Sequence, residues 1–366
     1  MLKLVSHSPR LNARLDKVKA ILRESDLNAL IILKPENLTY LTGFRGTTGA
    51  LVVLPDKAVL VVDPRYGEKA EREAANVDIL VGRSVLNQIA DFLGDVNASR
   101  IGFESSGLSY AEYEEYLREL CKGKNRPELI PERGIVETLR VVKDSGEIAD
   151  LKRAAKLADE CLDYLAGTIK PGISERDIAT KALCYLRDHG SEGEGFETII
   201  ASGENSSMPH ASTTDRKIRK GDIIIIDLGA VSNGYRSDLT RTFVAGKPDS
   251  RQKEMHKAVI AALDKVLDVL RPGLYAGEAD EICRSCLEKT DIGQFLHSLG
   301  HGVGLEIHER PQLGAGSKEE LVKGMVFTVE PGLYAHGVGG VRIEDMILLG
   351  DAPLVLTAYP RDLIEI

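Results

Sequence analysis

Short apolar runs alternate with amphipathic segments in the first third of the chain. Residues 27–33, 50–54 and 58–62 are mostly apolar and are bounded by Pro, Gly or Asp, a pattern typical of buried β-strands. Residues 15–23 and 109–120 instead repeat their apolar positions with the period of a helix. Strands that alternate with helices in this way indicate an α/β domain.

A polar, turn-rich stretch at residues 122–127 ends this pattern. Clusters of Lys, Gly, Asn and Pro between periodic segments are typical of loops and of links between domains. We therefore predict an N-terminal domain of residues 1–135 and a second domain of residues 136–366.

The second domain contains two similar segments of about 100 residues each. Each opens with a long predicted helix, at about 145–169 and about 250–270, and each helix stops at a basic residue followed by Pro-Gly. Further along, a Lys-Gly pair leads into an apolar run that ends at a carboxylate, Asp227 in the first segment and Glu330 in the second. In both segments the carboxylate comes six residues after the glycine.

Each segment then continues into a triplet of an arginine, any residue and an acid. The acids are Asp238 in the first segment and Glu344 in the second, and turn-forming residues separate each acid from the strand before it. This spacing lets the chain return as a hairpin, which places two carboxylates of each segment near one centre. If the two segments pack around a pseudo-two-fold axis, all four carboxylates meet at one place.

Four buried carboxylates need a counter-charge, because burial and mutual repulsion raise their pKa values. Two divalent cations, bridged by carboxylates and about 3.5 to 4 Å apart, would supply it. His301 lies between Gly300 and Gly302, whose small size allows the close approach that a metal ligand needs. One histidine among oxygen ligands favours Mn²⁺ or Co²⁺ over a structural Zn²⁺ site. A strand-end acid or a loop histidine is common alone, whereas this duplicated set indicates a metal centre.

Composition excludes several other classes of protein. With 366 residues, 43% hydrophobic and 28% charged, the chain suits two folded domains rather than a disordered protein. Its net charge of -9 argues against nucleic-acid binding. No apolar run reaches the roughly 18 residues of a membrane helix, and the first residues lack the apolar core of a signal peptide, so we expect a cytoplasmic protein. The cysteines are odd in number, and Cys283 and Cys286 have no second pair to complete a zinc site, which favours structural roles.

Five motifs surround the candidate residues: DLGA at 227–230, SDLTRT at 237–242, GHGVGLEIHE at 300–309, TVEPG at 328–332 and RIED at 342–345. They resemble the proline-specific metallopeptidases, the family of Xaa-Pro aminopeptidase, Xaa-Pro dipeptidase (prolidase) and methionine aminopeptidase. YLTGF at 40–44 and DPRY at 63–66 resemble the creatinase-type domain of the proline-specific members. The resemblance implies an α+β fold: a pita-bread catalytic domain with an internal pseudo-two-fold repeat, preceded by a smaller creatinase-type α/β domain.

The resemblance also implies a metal-binding role for five residues. Asp227 would bind one ion, and Asp238 and Glu344 would bridge both ions. His301 and Glu330 would complete the coordination of the second ion. The implied cofactor is two divalent ions per chain, Mn or Co, with Zn or Fe as alternatives.

Catalytic and substrate-binding roles are implied in the same way. Glu330 or a neighbouring carboxylate would take a proton from the attacking water. His210 and His308 would bind the substrate and stabilise the tetrahedral intermediate. Arg342 would hold the metal-binding carboxylates in position.

The predicted substrate depends on Gln312. Many prolidases carry an arginine four residues after the position of His308, where it can pair with the carboxylate of a dipeptide. Here that position is Gln312, and Arg310 lies two residues earlier as a substrate-binding alternative. We therefore predict an Xaa-Pro aminopeptidase that cleaves X-Pro-Y tripeptides at least as well as X-Pro dipeptides.

An Xaa-Pro dipeptidase is the alternative prediction. A metal-free creatinase-like hydrolase and a non-catalytic binding protein are further alternatives, which the complete set of ligand residues disfavours. The partners implied by the resemblance are X-Pro peptides or dipeptides and a second copy of the chain in a homodimer.

Overall fold

The chain forms two compact units in a computed structural model, Met1–Arg140 and Val141–Ile366. The structure describes residues 3–4, 7–122 and 126–366, so residues 123–125 of the predicted loop lie outside the described residues. Within these described ranges, no helix is long and apolar enough to cross a membrane.

A seven-stranded mixed sheet forms the centre of the N-terminal unit. Its strands are β1 (Lys3–Leu4), β2 (Ala29–Ile32), β3 (Ala50–Val53), β4 (Ala58–Val62), β5 (Asp78–Val81), β6 (Arg100–Glu104) and β7 (Glu128–Glu132). They lie in the order β1-β5-β4-β3-β2-β6-β7, and the pairs β4–β5, β2–β6 and β6–β7 are parallel. The three apolar runs of the sequence are β2, β3 and β4, and every residue of these strands is buried. Their prediction is confirmed.

Helices connect the strands of this sheet. They are α1 (Pro9–Glu24), α2 (Pro35–Thr42), α3 (Gly67–Glu73), α4 (Val85–Asp95), α5 (Tyr110–Leu120) and α6 (Ile135–Arg140). The helix predicted at 109–120 is α5. The helix predicted at 15–23 is α1, which begins earlier, at Pro9, because Ser8 accepts the N–H of Leu11 and Pro9 suits the first helical turn.

The C-terminal unit contains one arrangement twice, a pair of helices packed on a β-sheet. The first half consists of α7 (Ser145–Ala166), α8 (Glu175–Asp188), β8 (Ile199–Ser202), β9 (Ile223–Leu228), β10 (Val231–Ser232), β11 (Tyr235–Arg236) and β12 (Leu239–Val244). The second half consists of α9 (Ser250–Val269), α10 (Ala276–Leu287), β13 (Gly300–Gly302), β14 (Glu309–Leu313), β15 (Val326–Val329), β16 (Gly332–Ala335), β17 (Gly339–Arg342), β18 (Asp345–Leu349) and β19 (Pro353–Val355). A last strand, β20 (Ile364–Glu365), returns to the first half and pairs with β12. The two predicted long helices are α7 and α9.

Each half has its own sheet and its own apolar core. The first sheet has the order β20-β12-β9-β8 and is covered by α7 and α8, and the second has the order β14-β13-β15-β18-β19 and is covered by α9 and α10. The two long helices begin alike, since Asp144 caps α7 and Asp249 caps α9 through side-chain hydrogen bonds to backbone N–H groups. Cys283 is fully buried in the second core.

Hydrogen bonds join the two halves where the predicted carboxylates lie. The N–H of Glu344 donates to the carbonyl of Thr240 at 3.1 Å. The hydroxyl of Thr242 donates to the carbonyl of Arg342 at 2.8 Å. Strand β12 of the first half is therefore bound to the chain between β17 and β18 of the second.

Candidate active site

Strand pairing brings the four predicted carboxylates to this junction. In the antiparallel pair β9–β12, Asp227 lies opposite Thr240, and Asp238 is two residues from Thr240 and on the same face. Glu330 directly follows β15 and Glu344 directly precedes β18, and because β15 and β18 pair antiparallel, both acids lie at the same end of that pair. The two hairpins inferred from the sequence thus place their acids where the sheets meet.

His301 lies in the middle of β13, with glycine on both sides. A Cβ atom on Gly300 would collide with the carbonyl oxygen of Thr328, and one on Gly302 would collide with the carbonyl oxygen of Arg310. Only glycine therefore lets the backbone of β13 lie this close to its neighbours.

The ligand atoms of Asp238, His301 and Glu344 lie within 4.8 Å of one another. His301 Nε2 is 3.5 Å from Asp238 Oδ2 and 3.5 Å from Glu330 Oε1. With the Nδ1–H of His301 donating to the carbonyl of Gly302 at 3.1 Å, the lone pair on Nε2 faces these carboxylates. Burial lowers the pKa of His301 to about 4, so the ring is neutral at pH 7. A lone pair that faces two carboxylates is the arrangement of a metal ligand.

Asp227 is the second indication that these residues suit a cation. Its Oδ2 accepts a hydrogen bond from Arg342 Nη2 at 2.6 Å, while its buried Oδ1 has no hydrogen-bond partner among the described residues. Buried carboxylate oxygens are almost always paired, so an unpaired one fits a metal ligand. Arg342 is itself held, since its Nη1 donates to Tyr334 Oη at 3.0 Å and its Nε donates to Thr240 Oγ1 at 3.2 Å.

The carboxylates also perturb one another. Burial raises the pKa of Asp238 well above its usual value, and the charge of Glu344 raises it further. Burial raises the pKa of Glu344 in the same way, with Glu330 as the next cause. The pKa of Glu330 rises to about 8 through burial, although Arg342 opposes the shift. Carboxylates at this spacing bind protons unless divalent cations replace those protons. The chemistry of this donor set therefore fits divalent ions.

A cavity of about 570 Å³ opens over these carboxylates. Every residue to which the sequence assigned a role lines it: His210, Asp227, Asp238, His301, His308, Arg310, Glu330, Arg342 and Glu344. The volume lies in the range of small-molecule sites, about 300 to 1,000 Å³.

Three histidines, His210, His297 and His308, line the cavity without belonging to the closest group of ligand atoms. The ring of His308 meets that of His301 edge-on, with centroids 4.3 Å apart. Burial lowers the pKa of His308, and His210 nearby lowers it further. His210 and His308 are both exposed, so their rings are accessible to a bound ligand.

His297 and Tyr334 were missed by the sequence analysis. His297 Nε2 lies 2.9 Å from Tyr334 Oη, and its Nδ1 lies 2.8 Å from the carbonyl of Ser298. Burial lowers the pKa of His297 to about 4 and raises that of Tyr334 to about 12. With Arg342 donating to Tyr334 and Tyr334 donating to His297, a buried hydrogen-bonded chain links two residues of the cavity wall, Arg342 and His297.

Arg310 and Gln312 lie on one face of β14 and both line the cavity. Arg310 Nε donates to Glu319 Oε1 at 3.2 Å, and the Arg310 side chain is 54% exposed. Its guanidinium is thus held at the cavity wall by one carboxylate.

Two regions of the chain match known families. Residues 14–142 match the creatinase/prolidase N-terminal domain, and residues 149–351, which include every candidate site residue, match metallopeptidase family M24. The chain belongs to metallopeptidase family M24. The resemblance found in the motifs is confirmed, and the chain is a metallopeptidase.

Similar M24 proteins cover almost the whole chain. The Xaa-Pro dipeptidase of Pyrococcus furiosus is 35% identical over 338 residues, which are 92% of this chain and 94% of that protein. The solved Xaa-Pro dipeptidase of Bacillus anthracis has a TM-score of 0.92 at 33% identity and covers 97% of this chain and 100% of its own. The solved X-Pro aminopeptidase of Thermotoga maritima has a TM-score of 0.86 at 30% identity and covers 94% and 99%. The predicted fold, a pita-bread catalytic domain after a creatinase-type domain, is confirmed.

Proposed function

We propose that the protein is an Xaa-Pro dipeptidase with a dinuclear divalent metal centre. The observation that carries the proposal is one cavity lined by the five proposed metal-binding side chains and by three further histidines, His210, His297 and His308. The uncharged side chain of Gln312 favours an aminopeptidase. The relatives support the dipeptidase alternative better, since those from P. furiosus and B. anthracis are Xaa-Pro dipeptidases.

The metal-binding residues proposed are Asp227, Asp238, His301, Glu330 and Glu344. Asp238 and Glu344 would bridge two ions, for which Mn²⁺ or Co²⁺ suit the oxygen-rich donor set. When bound, such ions polarise a substrate carbonyl and make water a stronger nucleophile. Arg342 keeps the Asp227 carboxylate oriented through its 2.6 Å hydrogen bond, so that the other carboxylate oxygen stays available.

Glu330 is the residue proposed to accept the proton of the attacking water. Its carboxylate lines the same cavity as the histidines proposed to bind the substrate, so it is placed to accept a proton there. Thr328 Oγ1 donates to Glu330 Oε1 at 3.3 Å, which favours Oε2 as the oxygen that receives the proton. Glu330 Oε2 lies 3.9 Å from His297 Nδ1.

His210 and His308 are the substrate-binding residues of the proposal. Since its pKa is lowered, His308 is neutral at pH 7 and can donate one N–H to the scissile carbonyl as negative charge develops there. His210 lines the same cavity and can also donate a hydrogen bond to the substrate.

Arg310 supplies the positive charge that Gln312 lacks. The two residues share a face of β14, and Arg310 uses its Nε for Glu319, which leaves terminal N–H donors for a substrate carboxylate. A dipeptide ends in such a carboxylate directly after proline, whereas a tripeptide continues. Arg310 would therefore favour the dipeptide.

The test is hydrolysis of Ala-Pro and of Ala-Pro-Ala by chelated enzyme to which Mn²⁺ or Co²⁺ is returned. We expect metal-dependent cleavage of Ala-Pro, with the tripeptide at least about tenfold slower, the size of one charge-assisted contact. Equal cleavage of the tripeptide would favour the aminopeptidase, and cleavage of neither peptide would contradict the proposed function. The homodimer and the cytoplasmic location expected from the sequence stay predictions.

A further inference from the structure

Glu175 is a fully buried carboxylate that none of the steps above uses. It is the first residue of α8 and has no exposed surface. Its Oε1 accepts the N–H of Ser202 at 2.8 Å and the hydroxyl of Ser202 at 2.6 Å. Its Oε2 accepts the N–H of Thr214 at 3.0 Å and the hydroxyl of Thr214 at 2.6 Å. Asn205 Nδ2 lies 3.2 Å from both oxygens.

These partners are the two ends of the loop that carries His210. Ser202 is the last residue of β8, and Thr214 follows His210 on the return. The Glu175 carboxylate therefore holds the two ends of the loop of residues 203–213 together, with one oxygen bound to each end. We call these two ends, Ser202 and Thr214, the neck of the loop. The tip of the loop is exposed at Met208 and at His210 itself.

The rest of the loop is bound to the second half of the C-terminal unit. The carbonyl of Pro209, the residue before His210, accepts a hydrogen bond from Arg342 Nη1 at 3.1 Å. Ser206 Oγ accepts the N–H of Gly340 at 2.9 Å. Because Arg342 also binds Asp227, the backbone beside His210 is fixed relative to the candidate metal centre.

A carboxylate is the side chain that this neck requires. All of its partners present donors, and a carboxylate alone offers acceptor oxygens to both ends at once. A glutamine there would turn an amide NH₂ toward the backbone N–H of either Ser202 or Thr214. Arg216 lies nearby: its Nη1 donates to Ser202 Oγ at 2.7 Å and to Asp222 Oδ2 at 2.6 Å.

We infer that Glu175 is a positioning residue for the reaction: it closes the loop of residues 203–213 and thereby fixes His210 against the substrate. This inference rests on the proposed function, in which His210 contacts the substrate. Glu175 then affects turnover through the position of His210 and not through the metal ions.

The test compares Glu175→Gln, His210→Ala and the double variant in the full-length, metal-loaded protein. We expect Glu175→Gln to lower kcat for Ala-Pro by about tenfold or more, with metal content unchanged and amide hydrogen exchange faster in residues 203–213 alone. The double variant should match His210→Ala within about twofold, because residues that act through one another are not additive.

Glu104→Gln is the matched control in the N-terminal unit. Glu104 is also buried and also accepts two backbone N–H groups, those of Leu33 at 2.7 Å and Lys34 at 2.9 Å. We expect it to leave kcat unchanged. Should Glu175→Gln fail to fold, Thr214→Val removes one hydroxyl donor from Glu175 and should show a smaller loss with the same non-additivity.

Two results would overturn the inference while leaving the proposed function intact, provided that the wild type cleaves Ala-Pro. The first is a double variant whose loss of kcat equals the product of the two single losses. The second is a loss of metal that accounts for the loss of activity. An unchanged kcat in His210→Ala would overturn the inference together with the substrate-binding role proposed for His210. A wild type that cleaves no X-Pro peptide contradicts the proposed function instead.

Discussion

Replacing Arg310 with glutamine separates the two substrate classes, because it removes a positive charge from the cavity wall and keeps a polar side chain. In the wild type, Arg310 Nε lies 3.2 Å from Glu319 Oε1, and the two side chains are 54% and 25% exposed. Arg310 and Gln312 line the same cavity. The substitution thus tests whether a substrate carboxylate binds there.

The exposure of Arg310 sets the size of the effect. A charge-assisted hydrogen bond in a sheltered site contributes about 1.5 to 3 kcal/mol, whereas an exposed ion pair contributes about 0.2 to 1 kcal/mol. Arg310 is half exposed and is also paired with Glu319. We therefore expect its contact with the substrate carboxylate to contribute about 1.4 kcal/mol, a value between these two ranges. This free energy corresponds to about tenfold in kcat/KM.

The assay is kcat/KM for Ala-Pro and for Ala-Pro-Ala at low and high salt. With Arg310→Gln we expect kcat/KM for Ala-Pro to fall about tenfold, chiefly through a higher KM, because binding of the carboxylate is equal in ground and transition states. The tripeptide should change by less than about twofold. Salt should reduce the preference of the wild type for the dipeptide, since partly exposed charges are screened.

Two further variants make the test selective. Lys323→Gln is the control, since Lys323 is 59% exposed and paired with Asp351 but does not line the cavity. Adding Gln312→Arg to Arg310→Gln should restore the preference for the dipeptide, because both positions lie on one face of β14. If Arg310→Gln leaves the ratio of the two activities unchanged, the carboxylate binds elsewhere and the reasoning is wrong.

Three other outcomes follow from the site. Glu344→Gln should reduce the metal content measured by elemental analysis to about one ion per chain or less, since a bridging ligand is lost, and two ions retained would contradict its role. His308→Ala should lower kcat about 100-fold with the metal content unchanged, and loss of metal would identify it as a ligand instead. In chelated protein the raised pKa values of Asp238, Glu330 and Glu344 mean that the folded state binds more protons than the unfolded state above their usual pKa values. The free energy of unfolding should therefore fall as pH rises from about 4 toward 8, and Mn²⁺ should remove this slope; a flat profile without metal would contradict the coupling.

The sequence predicted the parts of the site that depend on strand ends. Asp227 and Glu330 were found because each terminates an apolar run, and burial of such a run determines where its last residue lies. The pseudo-two-fold repeat then related Asp238 to Glu344 and predicted that the acids converge.

Contacts between residues distant in the sequence were not predictable in this way. Tyr334 reaches His297 through a single hydrogen bond, and neither residue belongs to a periodic pattern. Glu175 has the sequence of an ordinary helix start after Ser174, and only the folded loop shows that its carboxylate binds both ends of another segment. Local patterns determine elements, whereas such contacts depend on how finished elements pack.

Each half of the C-terminal unit supplies a hydrogen bond to a carboxylate of the other half. Arg342, from the second half, binds Asp227 of the first half, while Thr240, from the first half, donates to Glu344 Oε2 at 2.7 Å in the second. Arg342 Nε also donates to Thr240 Oγ1, so the two supporting residues hold each other. For Asp227 and for Glu344, the group that orients the carboxylate comes from the other half. The candidate metal centre can therefore form only when the two sheets have packed together, and any change that separates them disorders the ligands of both halves at once.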